Sequence, residues 1–82
     1  MKKILIVDDQ IEVRELVEVT LNSGNYIILK ANSGDEAIKI ARKEKPNLIL
    51  MDIRMRGDVD GLEATKILKN DPRTEKTRIL FC

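Results

Sequence analysis

Asn47-Leu-Ile-Leu-Met-Asp52 is the stretch of sequence that decides the fold. Apolar residues that end abruptly in a carboxylate are typical of a strand buried on both faces of a parallel sheet. The start of the chain repeats the pattern, because Ile4-Leu-Ile-Val7 runs directly into Asp8 and Asp9. Two such strands lying side by side and parallel would bring Asp8, Asp9 and Asp52 together at one edge of the sheet.

Short apolar runs and amphipathic stretches alternate along the rest of the chain, a pattern typical of βαβ units around a parallel sheet. We expect strands at 4–7, 26–29 and 48–51, and a fourth that starts at Thr77 and runs to Cys82. Helical spacing predicts three helices between them. In the first helix the apolar residues at helical spacing are Val13, Leu16, Val17 and Leu21, and the helix ends near Asn22. In the second the expected inward residues are Ala37, Ile40 and Ala41, after a capping box at Ser33. The third helix is marked by Leu62, Ala64, Thr65, Ile67 and Leu68.

The order in which these strands pair fixes where a site would lie. Right-handed crossovers in the order 2-1-3-4 place the first helix on one face of the sheet and the other two on the opposite face. The predicted fold is therefore a partial α/β three-layer sandwich of the flavodoxin-like type over residues 1–82. Ligands of open α/β sheets bind where the strand order reverses, here between strands one and three. The three acids fall at that place.

Composition narrows the classes of function. Fifteen basic and fourteen acidic residues give a net charge of +1, which offers no electrostatic footprint for nucleic acid or an anionic membrane. No apolar run approaches the roughly 20 residues needed to span a bilayer, and we expect a cytoplasmic protein. The chain has no His and one Cys, so a metal would be held by oxygen. Oxygen ligands favour Mg²⁺, with Mn²⁺ or Ca²⁺ as alternatives.

The three carboxylates indicate a type of chemistry. Like charges a few ångströms apart raise one another's pKa unless a cation joins them. Mg²⁺ is often bound by one or two carboxylates together with phosphate oxygens. One carboxylate could then attack phosphorus and form an acyl phosphate. Asp52 suits that role because it ends the central strand, whereas Asp8 and Asp9 lie where the first strand turns into its helix.

Several motifs resemble the receiver domain of two-component response regulators: Asp8-Asp9, Arg14, Leu48-Ile-Leu-Met-Asp52-Ile-Arg-Met and Asp60-Gly-Leu-Glu63. The resemblance covers the whole chain. It implies that Asp52 is the phospho-acceptor and that Asp8, Asp9, Asp52 and the backbone carbonyl of Arg54 bind Mg²⁺. It also implies a histidine kinase, a phosphotransfer protein or a small donor such as acetyl phosphate as the phosphoryl source. Such a domain is expected to be a regulatory acceptor rather than an enzyme, with at most self-phosphorylation and self-dephosphorylation.

Two features depart from the family pattern. Arg56 stands where the family usually has proline, and the loop up to Gly61 is one residue longer. The sequence also stops at Cys82, inside the predicted fourth strand, so it corresponds to the first two-thirds of a receiver. We therefore expect impaired switching, because the later Ser or Thr, the later Lys and the last two helices are not in it. The bare strand edge and uncovered sheet face predict a homodimer or larger assembly.

Individual residues also have structural interpretations. Asp9 could serve only as a helix cap, since Glu12 follows at capping-box spacing. Asp58 and Asp60 suit tight turns better than metal ligation. Arg14 is expected to pair with a neighbouring surface acid.

Other functions compete with the acceptor hypothesis. An aspartyl phosphohydrolase would want a second acid two residues after its nucleophile, where Arg54 stands. A nucleotide or flavin binder would need a glycine-rich loop after the first strand, where Asp8, Asp9 and Gln10 stand. The main alternative is a non-signalling fragment that self-associates as a structural or assembly unit.

Overall fold

A four-stranded parallel sheet organises the molecule, and its strands, numbered along the chain, lie side by side in the order 2-1-3-4, as predicted. The computed structural model describes residues 1–21 and 24–81. The predicted helix end near Asn22 and the strand residue Cys82 lie outside the described residues. In chain order the elements are β1 (Lys2–Val7), α1 (Ile11–Leu21), β2 (Tyr26–Ala31), α2 (Gly34–Glu44), β3 (Leu48–Met51), α3 (Gly61–Lys69) and β4 (Arg78–Phe81).

The main core lies between the sheet and the helix pair α2 and α3. Alternate strand residues pack there against three alanines and a leucine of the two helices: Leu5, Val7, Ile49 and Met51 against Ala37, Ala41, Ala64 and Leu68. Helix α1 packs against β1 and β2 and adds no residue to this cluster. This division of the helices is the one that right-handed crossovers require. No helix within the described residues is long and apolar enough to cross a bilayer.

Helix α1 is less buried than its sequence predicted. None of its residues is buried, and Leu16, expected to point inward, is 67% exposed. Val13, Val17 and Leu21 recur every four residues and are half-buried. Leu16 lies one residue from Val17, or about 100° around the helix, and so falls off that stripe.

Two helix caps were predicted, at Asp9 and at Ser33, and the second is confirmed. The Ser33 hydroxyl accepts the N–H of Glu36 at 3.1 Å, so the predicted cap of α2 is confirmed. Asp60, interpreted from the sequence as a turn residue, caps α3 by accepting the N–H of Glu63 at 2.9 Å. Helix α1 instead begins at Ile11, one residue too late for an Asp9 cap, and the Asp9 carboxylate is used elsewhere.

A buried carboxylate joins α2 to the segment that follows α3. Asp71 is 7% exposed, and its Oδ2 accepts hydrogen bonds from Nε of Arg42 at 2.9 Å and from Nη2 of Arg73 at 2.8 Å. The Arg73 side chain is the largest cause that holds the pKa of Asp71 well below its usual range, followed by the Arg73 backbone N–H. The ionised form of Asp71 therefore stabilises the fold.

Asp71→Asn should lower the melting temperature at pH 7, because two guanidinium groups lose their charged partner. The folded-state pKa of Asp71 lies below the ordinary value of 3.8, so its contribution is present above that value. It is lost as pH falls through the folded-state pKa. Thermal melts from pH 7 down to pH 2 should therefore show the gap between wild type and variant narrowing below about pH 4. A constant gap would contradict this account.

Candidate functional site

The ends of β1 and β3 bring three carboxylates together. Val7 pairs with Met51 in the sheet, so Asp8 and Asp52 leave neighbouring strands at the same level. The Asp52 N–H donates to the Val7 carbonyl at 3.0 Å and continues the ladder by one residue. One oxygen from each of Asp8, Asp9 and Asp52 lies within 4.8 Å of the others. The convergence predicted from strand order is therefore present in the fold.

Each of these carboxylates accepts one backbone N–H. Gln10 donates to Oδ1 of Asp8 at 2.9 Å, and Arg54 donates to Oδ1 of Asp52 at 3.2 Å. Both are local bonds that span two residues. The third runs from the N–H of Arg56 to Oδ2 of Asp9 at 3.3 Å and joins positions 47 residues apart. Within the described residues no hydrogen bond reaches the second oxygen of any of the three.

The electrostatics of the site centre on Asp8, which is buried while Asp9 and Asp52 are half-buried. Burial is the largest cause that raises the pKa of the Asp8 carboxyl, and the charges of Asp52 and Asp9 raise it further. The Gln10 N–H and the charge of Arg14 act in the opposite direction. At the Asp8 carboxyl, burial and the two neighbouring charges therefore outweigh the Gln10 hydrogen bond and the charge of Arg14.

Arg14 does not take the position expected of it. Its Nη1 donates to the backbone carbonyl of Asp8 at 2.6 Å rather than to a surface acid. The guanidinium thereby holds the turn between β1 and α1 and brings positive charge close to the Asp8 carboxylate. The sequence placed Arg14 on the correct helix but could not show that the side chain reaches back six residues.

The donor set fits a hard divalent cation. Carboxylate oxygens are the ligands that Mg²⁺ prefers, and the crowding of like charge is the conflict that such an ion resolves. Asp9 and Asp52 also line an open groove of about 460 Å³ together with Gln10, Arg54, Met55 and Arg56. The groove leaves room for the waters that Mg²⁺ retains and for a phosphate group.

Sequence reasoning missed the glycine that sets the position of Asp52. Gly61 is the first residue of α3, and its N–H donates to the Ile53 carbonyl at 3.1 Å. A Cβ at Gly61 would lie 2.8 Å from the carbonyl carbon of Asp52 and 2.9 Å from Cα of Ile53. The helix start thus packs directly on the backbone of the central acid. In the sequence Gly61 appeared only as part of the Asp60-Gly-Leu-Glu63 motif, with no role assigned to it.

Asp8→Asn should stabilise the metal-free protein. Two unit charges 4 Å apart repel by about 1 kcal/mol even in water, so removing one should raise stability by about 1 to 2 kcal/mol. Each kcal/mol shifts the melting temperature of a domain of this size by roughly 4–8 °C. Thermal melts in EDTA at pH 7 measure the shift. A variant that melts at or below the wild-type temperature would count against the repulsion.

The pH dependence of the same comparison follows from the raised pKa of Asp8. Because the folded-state pKa of Asp8 is raised, the protonated side chain contributes to the stability of the fold at pH values below the ordinary pKa of 3.8. This contribution is lost as pH rises through the folded-state pKa. The advantage of Asp8→Asn should therefore grow with rising pH in this window. Added Mg²⁺ should stabilise the wild type and remove much of the advantage.

Comparison with known proteins places this arrangement in a family. A sequence model described as the response regulator receiver domain matches residues 4–82. The chain is 41% identical over 68 residues to sporulation initiation phosphotransferase F of Bacillus subtilis, covering 83% of this chain and 54% of that protein. It spans 39% or less of the length of three other curated relatives that it matches.

Solved structures agree with the sequence matches. The N-terminal domain of a response regulator receiver protein from Methanoculleus marisnigri superposes with a TM-score of 0.92 at 32% identity, over 99% of this chain and 65% of that one. The response regulator protein TrrA of Thermotoga maritima, solved in complex with Mg(2+)-BeF, superposes with a TM-score of 0.82 at 33% identity, over 99% and 66% of the two chains.

Proposed function

The chain belongs to the response regulator receiver domain family, and on that premise we propose that Asp52 accepts a phosphoryl group in a Mg²⁺-dependent reaction of two-component signal transduction. The observation that carries the proposal is the approach of three carboxylates to within 4.8 Å at the ends of β1 and β3. A single carboxylate could be a nucleophile by itself. Two further acids beside it are explained best by an ion that must be held.

Asp52 is the nucleophile in this proposal. The Arg54 N–H holds Oδ1 of Asp52 in place, which leaves the second oxygen to attack phosphorus. A bond forms between that oxygen and phosphorus, and the bond from phosphorus to the donor breaks, with its electron pair leaving on the donor. The product is an acyl phosphate on Asp52.

Asp8, Asp9 and the backbone carbonyl of Arg54 would hold the ion together with Asp52. When bound, Mg²⁺ offsets the carboxylate charge and that of the incoming phosphate oxygens, so that an anionic donor can approach. Mn²⁺ could replace it, since it accepts the same oxygen ligands. The cationic side chains of Arg54 and Arg56 line the same groove and reduce its negative charge further.

The phosphoryl source is a histidine kinase, a phosphotransfer protein or a small donor such as acetyl phosphate. The similarity to a protein named as a phosphotransferase and to one solved with Mg(2+)-BeF supports this choice. In this role the chain is a regulatory acceptor rather than an enzyme that turns over a substrate. The cytoplasmic location stays a prediction from the sequence.

Incubation with acetyl phosphate and Mg²⁺ tests the proposal, with intact-mass spectrometry as the readout. We expect one added phosphoryl group per chain, and none when EDTA replaces Mg²⁺. The rate at which the phosphoryl group is gained also tests whether the chain is impaired as an acceptor, as predicted from the sequence. A folded chain that gains no phosphoryl group, or that gains one equally in EDTA, would contradict the proposed function.

A second candidate function is self-association through β4, and we propose it for the 82-residue chain alongside phosphoryl acceptance. Strand β4 lies at the edge of the sheet, where backbone N–H and C=O groups are left without a partner strand in the described residues. Leu80 and Phe81 on it are 56% and 45% exposed. The specific observation in favour is therefore an apolar strand at an open edge.

Leu80→Lys should shift the chain toward monomer, because a charge on an edge strand opposes pairing with another strand. Leu62→Lys is a matched control, since Leu62 is 50% exposed on α3, away from this edge. Sedimentation velocity at micromolar concentration should show a dimer or larger species for wild type and control. A monomeric wild type would contradict self-association.

A further inference from the structure

We propose that the backbone N–H of Arg56 is a positioning group for the ion site. Its hydrogen bond to Oδ2 of Asp9 ties the loop between β3 and α3 to the turn between β1 and α1. The bond restricts the orientation of the Asp9 carboxylate, one oxygen of which lies within 4.8 Å of oxygens of Asp8 and Asp52. This inference rests on the proposed Mg²⁺ site, and it assigns to Arg56 a role in forming that site.

Asp9 takes its hydrogen-bond partner from another loop, because among the described residues its own segment supplies none. Asp8 and Asp52 are each held by the N–H two residues further on, whereas helix α1 begins at Ile11 and leaves Asp9 outside its cap. Within the described residues, the Arg56 N–H is the donor that reaches the Asp9 carboxylate. The orientation of one of the three acids therefore depends on a loop that follows another strand.

The loop that carries Arg56 is held on both sides. Met55, directly before it, is 8% exposed and belongs to the main core. Val59, three residues after Arg56, packs against that core. The carbonyl of Val59 lies so close to Gly34 that a Cβ on Gly34 would meet it. Gly57 takes a φ of 105° with open space around it, which lets the chain turn between the two anchors. Packing on both sides of Arg56 therefore holds its backbone N–H in place.

Hydrogen bonds to metal-binding carboxylates set both their orientation and the affinity of the site. Losing such a partner typically weakens metal binding about 10–100-fold. The Arg56 side chain is exposed, so its backbone donor can be separated from its charge. Proline at this position removes the N–H, whereas alanine removes the guanidinium and retains the N–H.

Isothermal titration with Mg²⁺ compares Arg56→Pro with Arg56→Ala. We expect the Pro variant to bind Mg²⁺ about tenfold more weakly than the Ala variant, because only the Pro variant has lost the bond to Asp9. Equal dissociation constants in the two variants, with normal binding in the wild type, would overturn the positioning role alone. A wild type without measurable Mg²⁺ binding would overturn the proposed function as well.

A second measurement remains valid if the Pro variant does not fold. In the metal-free protein, amide hydrogen exchange followed by NMR should show the Arg56 N–H protected in wild type and in Arg56→Ala at the same position. The protection should be lost in Asp9→Ala, because that substitution removes the acceptor. Unchanged protection in Asp9→Ala would show that the bond does not form and would overturn the inference.

Discussion

Asp52→Asn is expected to abolish the gain of a phosphoryl group from acetyl phosphate and Mg²⁺. The amide retains the volume of the side chain and an oxygen that can accept the Arg54 N–H, but its oxygen is a poor nucleophile toward phosphorus. The fold should survive, because Asp52 is half-buried and the loss of a negative charge relieves repulsion from Asp8 and Asp9. Intact-mass spectra should show no added phosphoryl group, as in the EDTA sample.

A neighbouring acid provides the matched control. Asp58 is exposed in the loop that follows Asp52, and Asp58→Asn makes the same change of charge on the same segment. This variant should gain the phosphoryl group at close to the wild-type rate. Phosphorylation that persists in Asp52→Asn, or that falls equally in both variants, would show that a different residue is the acceptor or that net charge alone controls the reaction.

Gly61→Ala should have the second largest effect, on both stability and reaction rate. The added Cβ meets the backbone of Asp52 and Ile53, which cannot move aside as a flexible side chain could. Overpacking of this kind typically costs about 1–3 kcal/mol. The shift should also displace the acceptor, and a misplacement of about 1 Å can reduce a rate roughly 10²-fold. Thermal melts and the rate of phosphorylation measure the two effects separately.

Gly34→Ala separates the loss of stability from the displacement of the acceptor. Gly34 is likewise the first residue of its helix, and a Cβ there would lie 2.9 Å from the carbonyl carbon of Val59 rather than against Asp52. We expect a comparable drop in melting temperature with a much smaller drop in rate, measured where both variants are folded and at saturating Mg²⁺, so that weaker ion binding through the displaced Val59 does not lower the rate. Equal rates in the two variants would contradict direct control of Asp52 by Gly61.

The sequence was sufficient for the sheet and for the convergence of the acids. Apolar runs in the sequence located the four strands, and the handedness of crossovers assigned the helices to their faces. Burial was harder to predict, because helical spacing identifies a stripe but not how deeply it packs. Leu16 is the clearest case, since it was expected to point inward and is 67% exposed.

Most of the hydrogen bonds that hold the candidate site could not be predicted from the sequence. The bonds from Gln10 and Arg54 are local, and such turns are ordinary for Asp. The bond from Arg56 to Asp9 spans 47 residues, and no local pattern predicts it. The sequence flagged Arg56 only as a departure from the family pattern, where proline would have no N–H to donate.

Chemical marking of the acceptor tests the central claim most directly. Sodium borohydride reduces an aspartyl phosphate to homoserine, so the acceptor in the chain treated with acetyl phosphate and Mg²⁺ can be identified by peptide mass spectrometry. We expect homoserine at position 52 and unmodified Asp at positions 8 and 9. Homoserine at position 8 or 9, or no homoserine in a folded chain, would contradict it.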